Sequence, residues 1–197
     1  MRYVADVLEC AKCGEIRIKN VIKHPWSAVL QPAIGVFAGI FDSNGRILLV
    51  KIDYGQFVGE WNLPGGGVDA EKAKEAIDEQ FLLQELAREV EEETGISLHL
   101  KIEENPILWP ALLKGGEDLA LPIVVGVIKD QPTKGETRFA SLETVQKLAK
   151  QLPRSCLLGG YGGRMHRMTL RLLSYSHNRS YQQEARNALK ILQEKVI

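Results

Sequence analysis

The sequence has few cysteines, no long apolar run and no net charge, and each of these narrows the class of protein. Its three cysteines are an odd number, so they cannot form the complete disulfide framework of a small secreted domain. No uninterrupted apolar run approaches the roughly 20 residues needed to span a bilayer. The N-terminus, MRYVADVLEC, also lacks the apolar core of a signal peptide. We therefore expect a cytoplasmic protein with no membrane partner.

The balance of charge argues against general nucleic-acid binding, because the formal net charge is zero. That neutrality conceals an uneven distribution along the chain. Residues 153–197 carry eight Arg and Lys against two Glu, a net of +6, so residues 1–152 carry −6. An acidic body could bind a metal while basic C-terminal residues contact phosphates. The alternative is that the basic residues are simply solvated.

The length of 197 residues and the hydrophobic content of 45% are typical of one globular domain with a small appendage. We expect an N-terminal β extension over 1–32, a main domain over 33–152, and a C-terminal helical extension over 153–197 packed on it. Predicted strands and helices alternate without a regular period. This favours an α+β fold or an α/β/α sandwich, with a mixed sheet flanked by helices.

Two of the cysteines, Cys10 and Cys13, stand in the segment CAKCG, which resembles half of a zinc site. A structural zinc site needs four ligands, and the nearest further candidate is His24. The alternative is a plain turn between two short strands, 3–9 and 15–22. The absence of a second C-x-x-C pair favours the turn.

Alternating apolar residues and turn signals predict the main strands. The apolar runs 33–42 and 46–53 are separated by Asn44-Gly45, which predicts a β-hairpin. Further strands are predicted over 97–103, 119–129 and 136–140.

Helix formers dominate from 71 to 93, and Gly95 follows at a position where glycine commonly ends a helix. Ser141 is a suitable N-cap for a second helix that continues to about residue 151. Two more helices are predicted near 164–176 and 180–195.

Three carboxylates on the first predicted helix are candidate ligands for a metal ion. Glu89, Glu92 and Glu93 stand at i, i+3 and i+4, so they share one face. Like charges at this spacing repel, and a hard cation such as Mg²⁺ or Mn²⁺ would offset them. The alternative is an ordinary solvated acidic face. Upstream, the three glycines of 65–67 permit close approach of the backbone.

The segments PGGGVD (64–69) and REVEEETGI (88–96) together resemble the Nudix hydrolase box, G-x5-E-x7-R-E-U-x-E-E-x-G-U, in which U is apolar. The second half of the box matches at every defined position. EWNLPGGG (60–67) and RFASLE (138–143) resemble neighbouring parts of the same family, so the resemblance covers about 33–150. It implies a Nudix-like fold.

The first half of the box departs from the pattern. Sixteen residues separate Glu71 from Arg88 where the family has seven, which is an insertion of about nine residues. The first box Glu therefore falls on Glu71, Lys72 or Gln80, depending on the register. A straight helix would bring apolar side chains to the acidic face, so we expect 71–80 to form a separate helical turn or to bend away.

The resemblance implies an enzyme acting on acid anhydrides. It would hydrolyse, with Mg²⁺ or Mn²⁺, the pyrophosphate linkage of a nucleoside diphosphate joined to another moiety. Glu89, Glu92 and Glu93 would hold the metal, with the backbone carbonyl of Gly65 as a further ligand. Arg88 would orient a box carboxylate through a charge-assisted pair. The alternative for Arg88 is a helix salt bridge without catalytic weight.

The general base is Glu92 or Glu93 in the box, or Glu117 or Glu136 outside it. Residues expected to contact the substrate are Trp61, Gly66, Glu117 and Glu136. Aromatic side chains on which a nucleobase could stack are Trp26, Phe57, Trp61, Trp109 and Tyr161.

The sequence indicates the substrate class less clearly than it indicates the family. Pro110 lies fifteen residues after Gly95, a spacing that resembles the members that cleave ADP-ribose. We therefore favour ADP-ribose or nucleotide sugars as small-molecule substrates. The alternatives are a house-cleaning hydrolase of non-standard nucleoside triphosphates and a ligand-binding or regulatory module without turnover. A homodimer is common among related proteins, and the sequence leaves it open.

Overall fold

The computed structural model describes residues 2–9, 16–24, 34–53, 58–68, 76–108, 111–113, 118–147 and 168–194. The strands are β1 Arg2–Glu9, β2 Ile16–His24, β3 Ile34–Phe41, β4 Leu48–Lys51, β5 Trp61–Asn62, β6 Gly65–Gly67, β7 Ala76–Ile77, β8 Ala111–Leu113, β9 Asp118–Val127 and β10 Thr137–Phe139. The helices are α1 Glu79–Thr94, α2 142–147, α3 168–173 and α4 Arg179–Glu194.

The strands form three sheets, with the orders β1-β2-β7, β10-β4-β5 and β6-β3-β9-β8. In the four-stranded sheet, β3 pairs parallel with β9 and antiparallel with β6. The remaining pair, β8 with β9, is antiparallel. The mixed sheet that the sequence predicted is therefore confirmed.

The strand β3 is buried along its whole length and has a helical layer on each side. Successive side chains of a strand point to opposite faces. Val36 and Ile40 belong to one apolar cluster with the buried leucines of α1. Phe37 and Phe41 belong to a second cluster, which contains residues of α3 and α4. This arrangement is an α/β/α sandwich, as predicted.

Close packing of α3 on the sheet depends on a small residue in β3. A Cβ added to Gly39 would lie 2.7 Å from Cδ2 of Leu172. Because Leu172 is itself fully buried, it has little room to move away. The glycine therefore lets α3 approach the strand backbone.

The predicted hairpin of 33–42 with 46–53 is correct only at its turn. Gly45 has a positive φ of 77°, and the chain reverses through a single bridge between Phe41 and Ile47. Beyond that bridge, β3 and β4 belong to different sheets. The reason is that both edges of β3 are already paired, one with β6 and the other with β9.

The prediction of a strand over 97–103 is wrong. This segment is irregular and ends in a turn, in which the backbone amide of Asn105 donates to the carbonyl of Lys101 at 2.9 Å. Leu98 and Leu100 pack against the apolar cluster of α1, so their alternation reflects burial without a strand ladder. The predicted strands 119–129 and 136–140 are confirmed as β9 and β10, whereas β8 was not predicted.

The helix α1 begins well after residue 71. The side chain of Asp78 caps it by accepting a hydrogen bond from the amide of Phe81 at 2.8 Å. Just before this cap, Ile77 pairs with Val21 of β2 and is fully buried. The expected departure from a straight helix is confirmed. The helical turn that we also considered is replaced at 76–77 by a short strand, and 71–75 lie outside the described residues.

The two ends of the chain both contact the central part. The predicted N-terminal strands are present as the antiparallel pair β1–β2, and β2 also pairs with β7. Tyr181 and Ala185 of α4 share an apolar cluster with Phe37 of β3. The proposed boundaries at 32 and 152 stay a prediction, and Cys10 and Cys13 lie outside the described residues. Across the described ranges, no helix is both long and apolar enough to cross a membrane.

Candidate active site

The glycine loop and the acidic face of α1 meet directly. The amide of Gly65 donates a hydrogen bond to Oε2 of Glu93 at 2.8 Å. Gly65 has a φ of 138°, and a Cβ there would collide with the carbonyl oxygen of Val36. A Cβ on Gly66 would collide with the carboxylate of Glu89. Gly65 therefore lets β6 lie close against β3, and Gly66 lets β6 approach Glu89 closely.

Arg88 binds three carboxylates of α1. Its Nη1 donates to Oε2 of Glu92 at 2.8 Å, and its Nη2 donates to Oε1 of Glu89. On its other edge, Nε and Nη2 donate to the two oxygens of Glu85 at 3.3 and 3.1 Å. The hydrogen bond to Glu85, above all, raises the pKa of Arg88 above its ordinary value. Arg88 therefore lies at the centre of a charged cluster.

Glu93 is the most strongly perturbed carboxylate of this face. Burial, above all, raises its pKa to about 7, against the lowering effect of the Gly65 amide. The negative charges of Glu89, Asp53 and Glu92 raise it further. Glu93 therefore lies in a region where negative charge is in excess.

The carboxylates of this cluster are engaged by protein groups. Within the part of the chain that the structure describes, no three His, Cys, Asp or Glu side chains are grouped so as to hold a metal ion. Arg88 engages Glu89 and Glu92, and the amide of Gly65, rather than its carbonyl, contacts Glu93. The donor set nevertheless fits Mg²⁺ or Mn²⁺, because these ions prefer carboxylate oxygens. A cation would also offset the excess of negative charge around Glu93.

A second group of charged residues lies on and beside the sheet β10-β4-β5. The guanidinium carbon of Arg138 lies 3.9 Å from the ring centroid of Trp61. Lys51, which is opposite Trp61 on the neighbouring strand, forms an ion pair with Glu136 at 2.9 Å. The sheet thus brings together two of the predicted substrate-binding residues. Six further residues that the sequence analysis related to the substrate lie outside the described part of the chain: Trp26, Phe57, Trp109, Pro110, Glu117 and Tyr161.

Three site residues were not predicted from the sequence. Glu85 could have been found, because a Glu three residues before an Arg on a helix can pair with it. Asp53 and Arg138 carry no local signal. Asp53 follows β4 and Arg138 lies in β10, so only the tertiary structure shows what they neighbour.

Comparison with known proteins agrees with this architecture. A model of the NUDIX domain matches residues 29–141. The chain is 30% identical over 145 residues to an ADP-ribose pyrophosphatase of Methanocaldococcus jannaschii, and the match covers 69% of this chain and 80% of that protein.

Solved structures also resemble the chain. The NUDIX domain of NrtR from Shewanella oneidensis, in complex with ADP ribose, has a TM-score of 0.50 at 18% identity, covering 64% of this chain and 82% of that one. The MutT protein from Methanosarcina mazei Go1 has a TM-score of 0.46 at 26% identity, covering 61% of this chain and 85% of that one.

The domain match spans more than half of the chain and includes both the glycine loop and the acidic helix. The protein is therefore of the hydrolase class that acts on pyrophosphate linkages. It belongs to the Nudix family, as the resemblance of residues 88–96 to the second half of the box predicted.

Proposed function

We propose that the protein hydrolyses the pyrophosphate linkage of a nucleoside diphosphate joined to another moiety, with ADP-ribose and nucleotide sugars as the substrate class. The observation that carries the reaction is the contact between the Gly65 amide and Glu93, which joins the two halves of the box despite the insertion. Support for the substrate class comes from the relative named as an ADP-ribose pyrophosphatase.

In this proposal Glu89, Glu92 and Glu93 hold Mg²⁺ or Mn²⁺, with the carbonyl of Gly65 as a further ligand. The bound ion would neutralise charge on the phosphoryl oxygens during attack by water. The side chain of Glu92 is 62% exposed, whereas that of Glu89 is 14% exposed, so Glu92 is the more solvated of these two proposed ligands. Arg88 holds both of them and does not itself contact the substrate.

We assign the general base to the box, to Glu92 or Glu93. Comparing kcat of Glu92→Gln with kcat of Glu93→Gln at saturating metal separates the two, because loss of the base lowers kcat more than loss of one metal ligand does when the ion is bound. Glu136 forms an ion pair with Lys51, and Lys51 lies opposite Trp61 in the sheet β10-β4-β5. We therefore propose that Glu136 contacts the substrate.

We propose that the nucleobase binds beside Trp61, with Gly66, Glu117 and Glu136 as further contacts. One face of the indole is covered by the guanidinium of Arg138. Arginine stacks well on aromatic rings because its guanidinium is planar and delocalised. A nucleobase could therefore pack on the exposed guanidinium or take its place on the ring.

The test is a panel of substrates with Mg²⁺ and with Mn²⁺. Hydrolysis of ADP-ribose to AMP and ribose 5-phosphate, or the equivalent cleavage of a nucleotide sugar, would support the proposal. Release of pyrophosphate from non-standard nucleoside triphosphates in preference to these products would favour the house-cleaning alternative. No turnover of any substrate by the folded protein would contradict the proposal and favour a binding module.

A further inference from the structure

Glu85 is a buried carboxylate that the Nudix box does not include. It lies on α1 three residues before Arg88 and is only 5% exposed. Its helix neighbours Leu82 and Leu86 are fully buried. Burying a charged group is costly unless it is paired and hydrogen-bonded, so its partners define its role.

Arg88 binds both carboxylate oxygens of Glu85. Nε donates to Oε1 at 3.3 Å and Nη2 donates to Oε2 at 3.1 Å, which is a two-pronged contact. The same guanidinium reaches Glu89 and Glu92 with its remaining donors. Because a guanidinium is planar and rigid, holding one of its edges also sets the direction of the other.

The insertion leaves the position of the first box Glu open in this chain. Counting back from Arg88, the position of the first box Glu is occupied by Gln80, which has no charge and is exposed. The alternative candidate, Glu71, lies outside the described residues. Among the residues that the structure describes, Glu85 is the carboxylate that binds the edge of Arg88 away from Glu92.

We propose that Glu85 is a positioning residue, which holds Arg88 so that Arg88 places Glu89 and Glu92 for metal binding. Glu85 thereby supports the box arginine from a position that the box does not include. This inference rests on the proposed metal-dependent function. Glu85 itself contacts neither the ion nor the substrate.

The variant Glu85→Gln tests this role, because it keeps the size of the side chain and removes its charge. We expect Mn²⁺ affinity, measured by calorimetry on the metal-free protein, to fall by about 10- to 100-fold, the usual effect of losing the support of a metal ligand. At saturating Mn²⁺, KM for the nucleotide should stay within about twofold. Glu85→Asp, which keeps the charge, should recover part of the affinity.

Glu91→Gln is the matched control. Glu91 lies on the same helix and is exposed, and its replacement removes the same charge without touching Arg88. Its Mn²⁺ affinity should stay within about twofold of the wild type. An equal loss in Glu85→Gln and Glu91→Gln would overturn the proposal, because it would reflect only the net charge of the helix.

A double variant tests whether Glu85 acts through Arg88. If it does, Glu85→Gln combined with Arg88→Ala should bind Mn²⁺ no more weakly than Arg88→Ala alone. Independent losses that multiply would overturn the proposal. So would a lower melting temperature of Glu85→Gln with unchanged Mn²⁺ affinity, because Glu85 would then stabilise only the fold.

Failure of the two proposals can be told apart. A folded wild-type protein that neither binds Mn²⁺ nor hydrolyses any nucleotide would overturn the proposed function, and this inference with it. A wild-type protein that binds Mn²⁺ as tightly as Glu85→Gln does would overturn only the role of Glu85.

Discussion

The amide of Gly65 donates to the carboxylate of Glu93 at 2.8 Å, and this hydrogen bond connects strand β6 to helix α1. The two residues are 28 positions apart, and the insertion lies between them. Strand β7 and the Asp78 cap lie in the same interval, so the chain makes an excursion to β2 before α1 begins. The insertion therefore lengthens the path without separating the glycine loop from the glutamates.

Substituting Gly65 should disrupt this connection. In Gly65→Ala the new Cβ would collide with the carbonyl of Val36 at a backbone φ of 138°. We expect a loss of about 1–3 kcal/mol of unfolding free energy, measured by urea denaturation, together with most of the activity. Gly67→Ala is the control, because no atom lies within 4 Å of a Cβ there. Equal effects of the two variants would contradict the close approach described for Gly65.

Removal of divalent metal should abolish hydrolysis. Treatment with EDTA should leave the protein folded by circular dichroism, and activity should return with Mg²⁺ or Mn²⁺. In Glu92→Gln, kcat at saturating Mn²⁺ should fall by about 100-fold or more, because a carboxylate that the reaction needs has been lost. Unchanged hydrolysis in Glu92→Gln would contradict the placement of the metal at the box.

Substituting Trp61 should weaken substrate binding more than it slows the reaction. Loss of one base–aromatic stack is worth about 1–3 kcal/mol, so Trp61→Ala should raise KM by about 5- to 150-fold. Trp61→Phe keeps a ring and should lose less. Steady-state kinetics on the best substrate of the panel measures both. A fall in kcat with unchanged KM would place Trp61 outside the nucleotide site.

The turn after β3 should show a pH-dependent contribution to stability. Asp42 is buried at a cost that would raise its pKa, but hydrogen bonds from the backbone and side chain of Arg46 outweigh it and lower the pKa of Asp42. A carboxyl with a lowered pKa stabilises the fold above its unfolded value of 3.8, and this contribution is lost as pH falls through the folded value.

The variant Asp42→Asn should therefore be less stable than the wild type at pH 7, by about 1–2 kcal/mol in urea denaturation. The difference should shrink below pH 3.8, where the carboxyl is protonated first in the unfolded chain and then, at lower pH, in the folded protein. Asp130→Asn, at an exposed position, is the control and should show no such difference. A difference that is constant with pH would mean that the charge of Asp42 contributes nothing.

The same turn is held from the opposite side by the segment between α3 and α4. The hydroxyl of Ser176 donates to the carbonyl of Gly45 at 2.7 Å in a buried position. Ser176→Ala should lower the unfolding free energy by about 1–3 kcal/mol, because it leaves that buried carbonyl without this donor. Ser180→Ala, which is exposed, should stay within about 0.5 kcal/mol of the wild type. Equal stability of the two variants would contradict this role for Ser176.

Local spacing was enough to predict much of the acidic helix. A helix places residues three and four apart on one face, so the positions of Glu89, Glu92 and Glu93 followed from the sequence. The end of α1 followed as well, because Gly95 adopts a positive φ of 73° that other residues rarely take. The reversal at Gly45 was predictable for the same reason.

The sequence by itself therefore determined the family, the acidic face of α1 and the turns that need glycine, because each depends on residues close together in the chain. Only the tertiary structure decided where α1 begins, since that depends on the pairing of Ile77 with the distant Val21. It also decided that β4 leaves the sheet of β3, and that Arg138 stacks on Trp61. Such contacts join segments far apart in sequence, and burial and strand pairing select them without a local signal.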